Sequence, residues 1–113
     1  MDPSTLYSQT LSQLGAIELS MTSPAGDALI QAAAPADHQK AIQTLLDVHE
    51  ARLALGNASL QAIADKLKAN EAALVAGTKA VQASLNALNN LAQILNTVST
   101  LVGIVAQIVT LIK

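Results

Sequence analysis

Two histidines are the side chains in this sequence with the clearest potential to bind a metal or move a proton. His38 and His49 are eleven residues apart, about three helical turns, so on a helix they would lie on a similar face. Metal ligands on one helix are usually three or four residues apart, as in a His-x-x-x-His pair, and the sequence contains no such pair. The spacing therefore predicts no metal site.

The other polar residues do not combine into a catalytic motif. Glu18, Asp27 and Asp37 are not spaced as paired carboxylates for acid–base chemistry, and there is no glycine-rich phosphate loop. The chain has no cysteine, which excludes disulfides, thiolate ligands and a cysteine nucleophile. A net charge of −2 argues against a generally basic nucleic-acid binder. We predict a protein that is not an enzyme and that uses neither a cofactor nor a small-molecule substrate.

The composition predicts that the histidines and the other polar residues are carried by helices. Hydrophobic residues make up 51% of the chain, but many are alanine and Tyr7 is the only aromatic residue. Alanine, leucine, glutamine and lysine favour helices, whereas a globular core of this size normally contains several aromatic rings. The composition therefore indicates an all-α protein with closely packed helices.

The first third of the chain is predicted to be an N-terminal helical arm, residues 1–34. Asp2 and Pro3 are a typical N-cap and first helical residue, and apolar residues then recur at helical spacing as far as Met21. A weaker helix is expected over residues 24–33, and Pro35 ends it because the residue before a proline avoids the helical region.

A heptad repeat begins after Pro35. Ten bulky apolar residues stand seven positions apart and form the a series: Leu46, Leu53, Leu60, Leu67, Leu74, Val81, Leu88, Leu95, Val102 and Val109. The companion d series is Ile42, His49, Gly56, Ile63, Asn70, Gly77, Ser84, Leu91, Val98, Val105 and Ile112. The two series alternate without a phase slip from residue 42 to residue 112, which favours one long coiled-coil-like helix over about residues 36–112.

A helical hairpin is the alternative to one long helix. Gly56 and Gly77 are both plausible helix ends, because glycine commonly closes helices. In either form, residues 35–79 are a charged heptad segment and residues 80–113 are its uncharged, more apolar continuation.

The heptad predicts self-association, or pairing with a helical partner protein, because a long amphipathic helix alone would expose a large apolar surface. His49 lies in the d series, where we expect a hydrogen-bonded core residue or else a pH-sensitive position. The predicted interface consists of Leu46, Leu53, Leu60, Ile63, Leu67, Leu74, Val81, Leu88, Leu91, Leu95, Val98, Val102, Val105, Val109 and Ile112.

The polar side of the C-terminal segment has amides and hydroxyls but no charge between Ala80 and Ile112. The stripe consists of Gln82, Asn86, Asn89, Gln93, Asn96, Thr100, Gln107 and Thr110. An ordinary solvent-exposed stripe has no reason to avoid lysine and glutamate. A bilayer would explain the lack of charge, since a charge at its centre costs about 2.5–3.5 kcal/mol on insertion scales. A face buried between subunits would explain it as well.

We therefore expect a non-enzymatic, self-associating helical protein whose C-terminal helix inserts into or lies on a membrane, with a pore-lining stripe as one arrangement. The alternative is a soluble structural or scaffold assembly with that helix buried between subunits. The lack of tryptophan or tyrosine near either end of the segment argues against a permanent single span. No secretory signal peptide is recognisable, which predicts a cytoplasmic protein or export by a signal-independent route.

Overall fold

A proline is the first residue of each of the first three helices, and a polar side chain caps α1 and α2. The computed structural model describes residues 1–109, and α1 spans Pro3–Met21, α2 spans Pro24–Gln31 and α3 spans Pro35–Asn57. The Asp2 carboxylate accepts a hydrogen bond from the Thr5 amide at 2.8 Å, as the N-cap prediction requires. The predicted helical arm is thus two helices joined by a sharp turn.

The chain after Pro35 does not form the single long helix favoured by the heptad. As far as residue 109 it forms four helices: α3, then α4 (Leu60–Ala69), α5 (Glu71–Ala87) and α6 (Leu91–Ile108). The principal extents of the molecule are 42 × 27 × 18 Å, whereas a continuous helix over residues 36–112 would be roughly 110 Å long. Among residues 1–109 there is no strand, so the all-α prediction is confirmed.

Three interruptions divide the predicted helix. Ala58 and Ser59 are extended and follow Gly56 closely, so one of the two predicted helix ends is near a real one. Gly77 instead lies within α5. Asn70 interrupts the helix between α4 and α5, and its side-chain amide donates to the Lys66 carbonyl at 2.8 Å. Leu88 ends α5.

Folding back buries the wide apolar stripe within one chain. Helix α1 packs on α3, α4 and α5, while α6 packs most extensively on α5 and α3 and also contacts α4. The largest side chains that are fully buried are Leu6, Leu14, Ile17, Leu55, Leu67, Leu74, Ile94, Leu101, Ile108, Val48, Val81 and Val98. A long helix without partners would leave most of this area in water, which is the physical reason for the turns.

The Tyr7 hydroxyl joins α1 to the end of α3. It donates to the Leu55 carbonyl at 2.9 Å and also lies 3.2 Å from the Gly56 carbonyl. The Leu55 carbonyl also accepts from the Ala58 amide at 3.2 Å, so the tyrosine is a second donor to it. The contact therefore adds a side-chain hydrogen bond at the end of α3, where the last carbonyls have no intrahelical partner.

Candidate functional site

Helix α6 is the element with the most unusual composition. Its 18 residues carry no charge and have a mean hydropathy of 1.6, so by length and composition it could cross a membrane. In this fold one side of the helix belongs to the core, as in the central helix of a soluble protein. Its buried residues are Ile94, Leu95, Val98, Leu101, Val102, Val105 and Ile108.

Helices α5 and α6 form an antiparallel hairpin with small residues at its seam. A Cβ atom at Gly77 would lie 3.4 Å from the terminal methyl carbons of both Leu101 and Ile104, so the missing side chain permits the close approach. Thr97 Oγ1 donates to Ser84 Oγ at 3.2 Å across the same seam. Gly77 and Ser84 both belong to the d series, so small d residues allow two helices of one chain to approach closely.

The turn of this hairpin contains the one residue other than glycine that has a positive φ among residues 1–109. Leu88 has φ 43° and ψ 40°, in the left-handed region that leucine rarely occupies. Asn90 then caps α6, because its side-chain oxygen accepts from the Gln93 amide at 3.1 Å.

Every described member of the predicted polar stripe is exposed. Together these residues make a surface without formal charge along the end of α5, the turn and the outer side of α6, which we call the uncharged surface. Its members are Gln82, Asn86, Asn89, Gln93, Asn96, Thr100 and Gln107. Thr110, the last member of the predicted stripe, lies outside the described residues.

Most of the predicted interface residues lie in the core of the single chain. Those that are buried are Ile63, Leu67, Leu74, Val81, Leu95, Val98, Val102, Val105 and Val109, and those that are partly buried are Leu60, Leu88 and Leu91. Ile112 lies outside the described residues. Only Leu46 and Leu53 are half exposed, at 49% and 48%, so these two remain available for contact with another molecule.

Helix α3 therefore presents an apolar stripe to the exterior, which we call the α3 surface: Ile42, Leu46 and Leu53. His49 lies between them and is also exposed, so the expected core position for this histidine is wrong. Its Nδ1 atom lies 3.0 Å from a carboxylate oxygen of Glu18 on α1. The other oxygen of Glu18 lies 2.8 Å from Arg52 Nε, so the cluster ties α1 to α3 at the surface.

A second charged cluster joins the start of the chain to the α4–α5 junction. Lys68 Nζ is 2.8 Å from Glu71 Oε1, and the Met1 amino group is 3.1 Å from Glu71 Oε2. The hydrogen bond from Lys68 is the main reason that the pKa of Glu71 lies below its usual value, and the amino group adds to this effect. Hydrogen bonds from Thr5 likewise lower the pKa of Asp2.

An open groove of about 790 Å³ runs between α3, α4 and the end of α6. Its walls are mainly apolar, and Leu53, Ile63 and Val109 are among them. Glu50 and Lys66 are its charged residues. The groove has the size of a ligand site, but its described lining residues do not form the cluster of convergent polar groups that would fix a ligand's orientation.

Within residues 1–109, no three His, Cys, Asp or Glu side chains are placed so that they could hold a metal ion. The charged clusters are surface ion pairs, and the features that distinguish the molecule are the uncharged surface, the α3 surface and the α5–α6 hairpin. Comparisons of this chain with protein-family models, with curated proteins and with solved structures give no match.

Proposed function

We propose that this protein is a non-enzymatic, self-associating helical protein whose α6 passes from the folded bundle into a membrane. One observation carries the proposal: neither the exposed side nor the buried side of α6 has a charged residue. A helix that remained permanently at the surface of a soluble bundle would gain solubility from lysine or glutamate there. A helix that must enter hydrocarbon would lose about 2.5–3.5 kcal/mol for each such charge at the bilayer centre.

Burial in the core makes entry conditional on contact with lipid. Each fully buried apolar side chain contributes about 1.5–3 kcal/mol, so removing the buried side of α6 into water would cost as much as the whole stability of a typical domain, about 5–15 kcal/mol. A bilayer offers those side chains an equally apolar environment and offsets this cost. Exposed Lys66, Lys68 and Lys79 would then attract anionic headgroups to the molecule.

The polar side of α6 supports entry as several copies together. Gln93, Asn96 and Thr100 would be costly against lipid, whereas neighbouring copies could hydrogen-bond to them or enclose water between them. Self-association of this kind gives a helical bundle in the membrane, with the uncharged surface facing its interior or lining a pore.

A soluble assembly is the second candidate, and the α3 surface favours it. Ile42, Leu46 and Leu53 lie four and seven residues apart along one side of α3, which is the spacing of a short coiled-coil seam. A second copy or a helical partner could cover them while α6 stays in the core. This arrangement would make the protein a structural or scaffold component.

Flotation with vesicles separates the two candidates. The intact protein is mixed with anionic vesicles that contain a trapped dye, and flotation and dye release are measured together. Membrane entry predicts that the protein floats and that dye escapes. A protein that stays in the aqueous fraction as a discrete oligomer would reject membrane entry and support the soluble assembly.

Two lysines on the uncharged surface give a sharper version of the test. Asn96→Lys with Thr100→Lys changes only exposed positions, so the soluble fold should be retained. Two lysines in hydrocarbon should abolish dye release, while two lysines in a wet lumen should leave release intact and shift its ion selectivity toward anions. The matched control, Gln39→Lys with Gln61→Lys, adds the same charge at exposed positions of α3 and α4 and should behave like the wild type.

A further inference from the structure

We propose that the turn between α5 and α6 is a hinge, and that α6 leaves the bundle when Leu88 moves from the left-handed region into the helical region, so that α5 and α6 become one straight helix. This inference rests on the proposed membrane function and adds to it the movement by which α6 is released. Three independent features of the chain support it.

The first feature is the backbone of Leu88 itself. Its φ of 43° is unfavourable for a residue with a Cβ atom, whereas glycine or asparagine would occupy the same position at little cost. Tertiary burial of α6 holds the turn closed. When that burial is lost to lipid, the strain at Leu88 favours opening.

The second feature is the phase of the heptad across the turn. Val81 precedes the turn, Leu88 lies in it, and Leu95 follows at the next a position without an insertion or deletion. No proline occurs after Pro35, so no residue in or near the turn forbids a helix. A straight α5–α6 helix would place the apolar residues of both halves along a single side, as a self-associating helix requires.

The third feature is Lys79, which lies in the middle of α5 and is exposed. If the hairpin entered the bilayer as a unit, this charge would be carried into hydrocarbon. If the turn opened, α6 could enter alone while Lys79 stayed at the headgroups. The distribution of charge therefore favours opening over entry of the closed hairpin.

Spin labels on the two helices measure the movement directly. The chain contains no cysteine, so Ala76→Cys with Ala106→Cys creates the only two attachment sites, and both positions are exposed. Packed helices have axes 8–10 Å apart, so the closed hairpin should give a label separation of roughly 20 Å. A straight helix over thirty residues should give about 45 Å. We expect the short distance in water and the long distance on floated vesicles.

A matched pair of substitutions tests the role of the Leu88 backbone. Leu88→Gly and Leu88→Ala both remove the leucine side chain, so the lost packing is common to them. Glycine tolerates the closed turn and disfavours the helix, and alanine does the opposite. Because the left-handed conformation costs alanine roughly 1–2 kcal/mol, the ratio of open to closed protein on vesicles should be roughly tenfold higher for the alanine variant. Equal ratios would overturn the hinge.

A reversible lock tests the same inference without relying on the stability of a substituted turn. Ser84→Cys with Thr97→Cys replaces two hydroxyls that lie 3.2 Å apart across the α5–α6 seam, so the two thiols would face each other and can be oxidised to a disulfide that locks the hairpin. The oxidised protein should lose flotation, and reduction of the same sample should restore it. Flotation of the oxidised protein would show that the hairpin enters closed.

The outcomes distinguish this inference from the function on which it rests. A wild-type protein that does not float contradicts membrane entry and the hinge together. A wild-type protein that floats and releases dye while its labels keep the short distance contradicts the hinge alone.

Discussion

At the scale of single residues, the packing of small side chains determines how closely the helices approach one another. A Cβ atom at Gly26 would collide with the Ser20 carbonyl, because the start of α2 lies directly against the end of α1. Gly15 is also helical, yet a Cβ atom there would meet no atom within 4 Å. The two glycines thus have opposite roles, although the sequence around them gives no sign of it.

We expect Gly26→Ala and Gly15→Ala to change stability in opposite directions. Alanine at position 26 must displace backbone atoms, so the free energy of unfolding should fall, by about 1–3 kcal/mol for an overpacked site. Alanine at position 15 enters open space in a helix, so the free energy of unfolding should rise by about 0.5–1 kcal/mol. Urea denaturation followed by circular dichroism measures both values. A stable Gly26→Ala protein would mean that the α1–α2 turn can relax.

Acid should weaken the contact between Glu71 and its two cationic partners. Because the pKa of Glu71 is lower in the folded state than its reference value of 4.5, the stabilisation is present above about pH 4.5 and is lost as the pH falls through the folded value. Glu71→Gln should remove this part of the acid sensitivity. The free energy of unfolding of both proteins, measured from neutral pH down through that range, should therefore differ less at the acid end. A constant difference at all pH values would contradict the prediction.

At the scale of elements, the sequence predicted the helices better than the connections between them. The caps at Asp2 and Pro3 and the position of Pro35 are local signals, and they gave α1 and the start of α3 correctly. The heptad correctly marked the buried side of α4, α5 and α6. It was wrong for α3, where the a and d residues are exposed and the core is formed by Ala41, Thr44, Val48, Ala51 and Leu55. Periodicity reports which side of a helix is apolar, but it does not report whether the helix continues.

The turn at Leu88 illustrates why the hairpin was not predictable from local pattern. Leucine is a good helix former, and nothing in its neighbourhood demands a left-handed residue. The turn forms because closing the hairpin buries α6 against α5 and α3, a tertiary gain that exceeds the local cost of about 1–3 kcal/mol. The polar stripe could be identified from the sequence, but only the folded structure shows that all of its described members are exposed.

Helix α6 should respond very differently to changes on its two sides. Leu101 is completely buried and contacts Gly77, so Leu101→Ala should lower the free energy of unfolding by about 2–5 kcal/mol. Asn96 is exposed, so Asn96→Ala should change it by no more than about 0.5 kcal/mol. Denaturant titration of both proteins checks the orientation of α6. Similar losses at the two positions would mean that the outer side of α6 is also buried in solution, as in an assembly.

At the scale of the whole molecule, most of the apolar heptad residues are buried inside the single chain. The α3 surface is the group of them that stays exposed. Among residues 1–109, four of the five large hydrophobic residues that are exposed lie on α1 or α3, namely Leu19, Ile42, Leu46 and Leu53. The prediction of self-association therefore depends on far fewer residues than the heptad suggested, and it has become specific enough to test by substitution.

We expect Leu46→Lys with Leu53→Lys to prevent self-association in water without unfolding the protein. Both side chains are about half exposed, so the change in the free energy of unfolding should stay near 1 kcal/mol or below. Light scattering coupled to size-exclusion chromatography measures the molar mass. Leu19→Lys is the control, because Leu19 is 75% exposed and lies outside the α3 surface. If the double variant keeps the wild-type oligomer, the α3 surface is not the interface.

The contact of Tyr7 with the end of α3 also gives the protein a built-in optical reporter. The chain has one tyrosine and no tryptophan, so all of its intrinsic ultraviolet fluorescence comes from a ring whose hydroxyl donates to the Leu55 carbonyl. Detachment of α1 from α3 would expose that hydroxyl to water and change the emission and the near-ultraviolet dichroism. If the bundle opens on lipid as proposed, Tyr7 would report the detachment of α1 in the unlabelled protein, and comparison with the spin-labelled protein would give the order in which α1 and α6 detach.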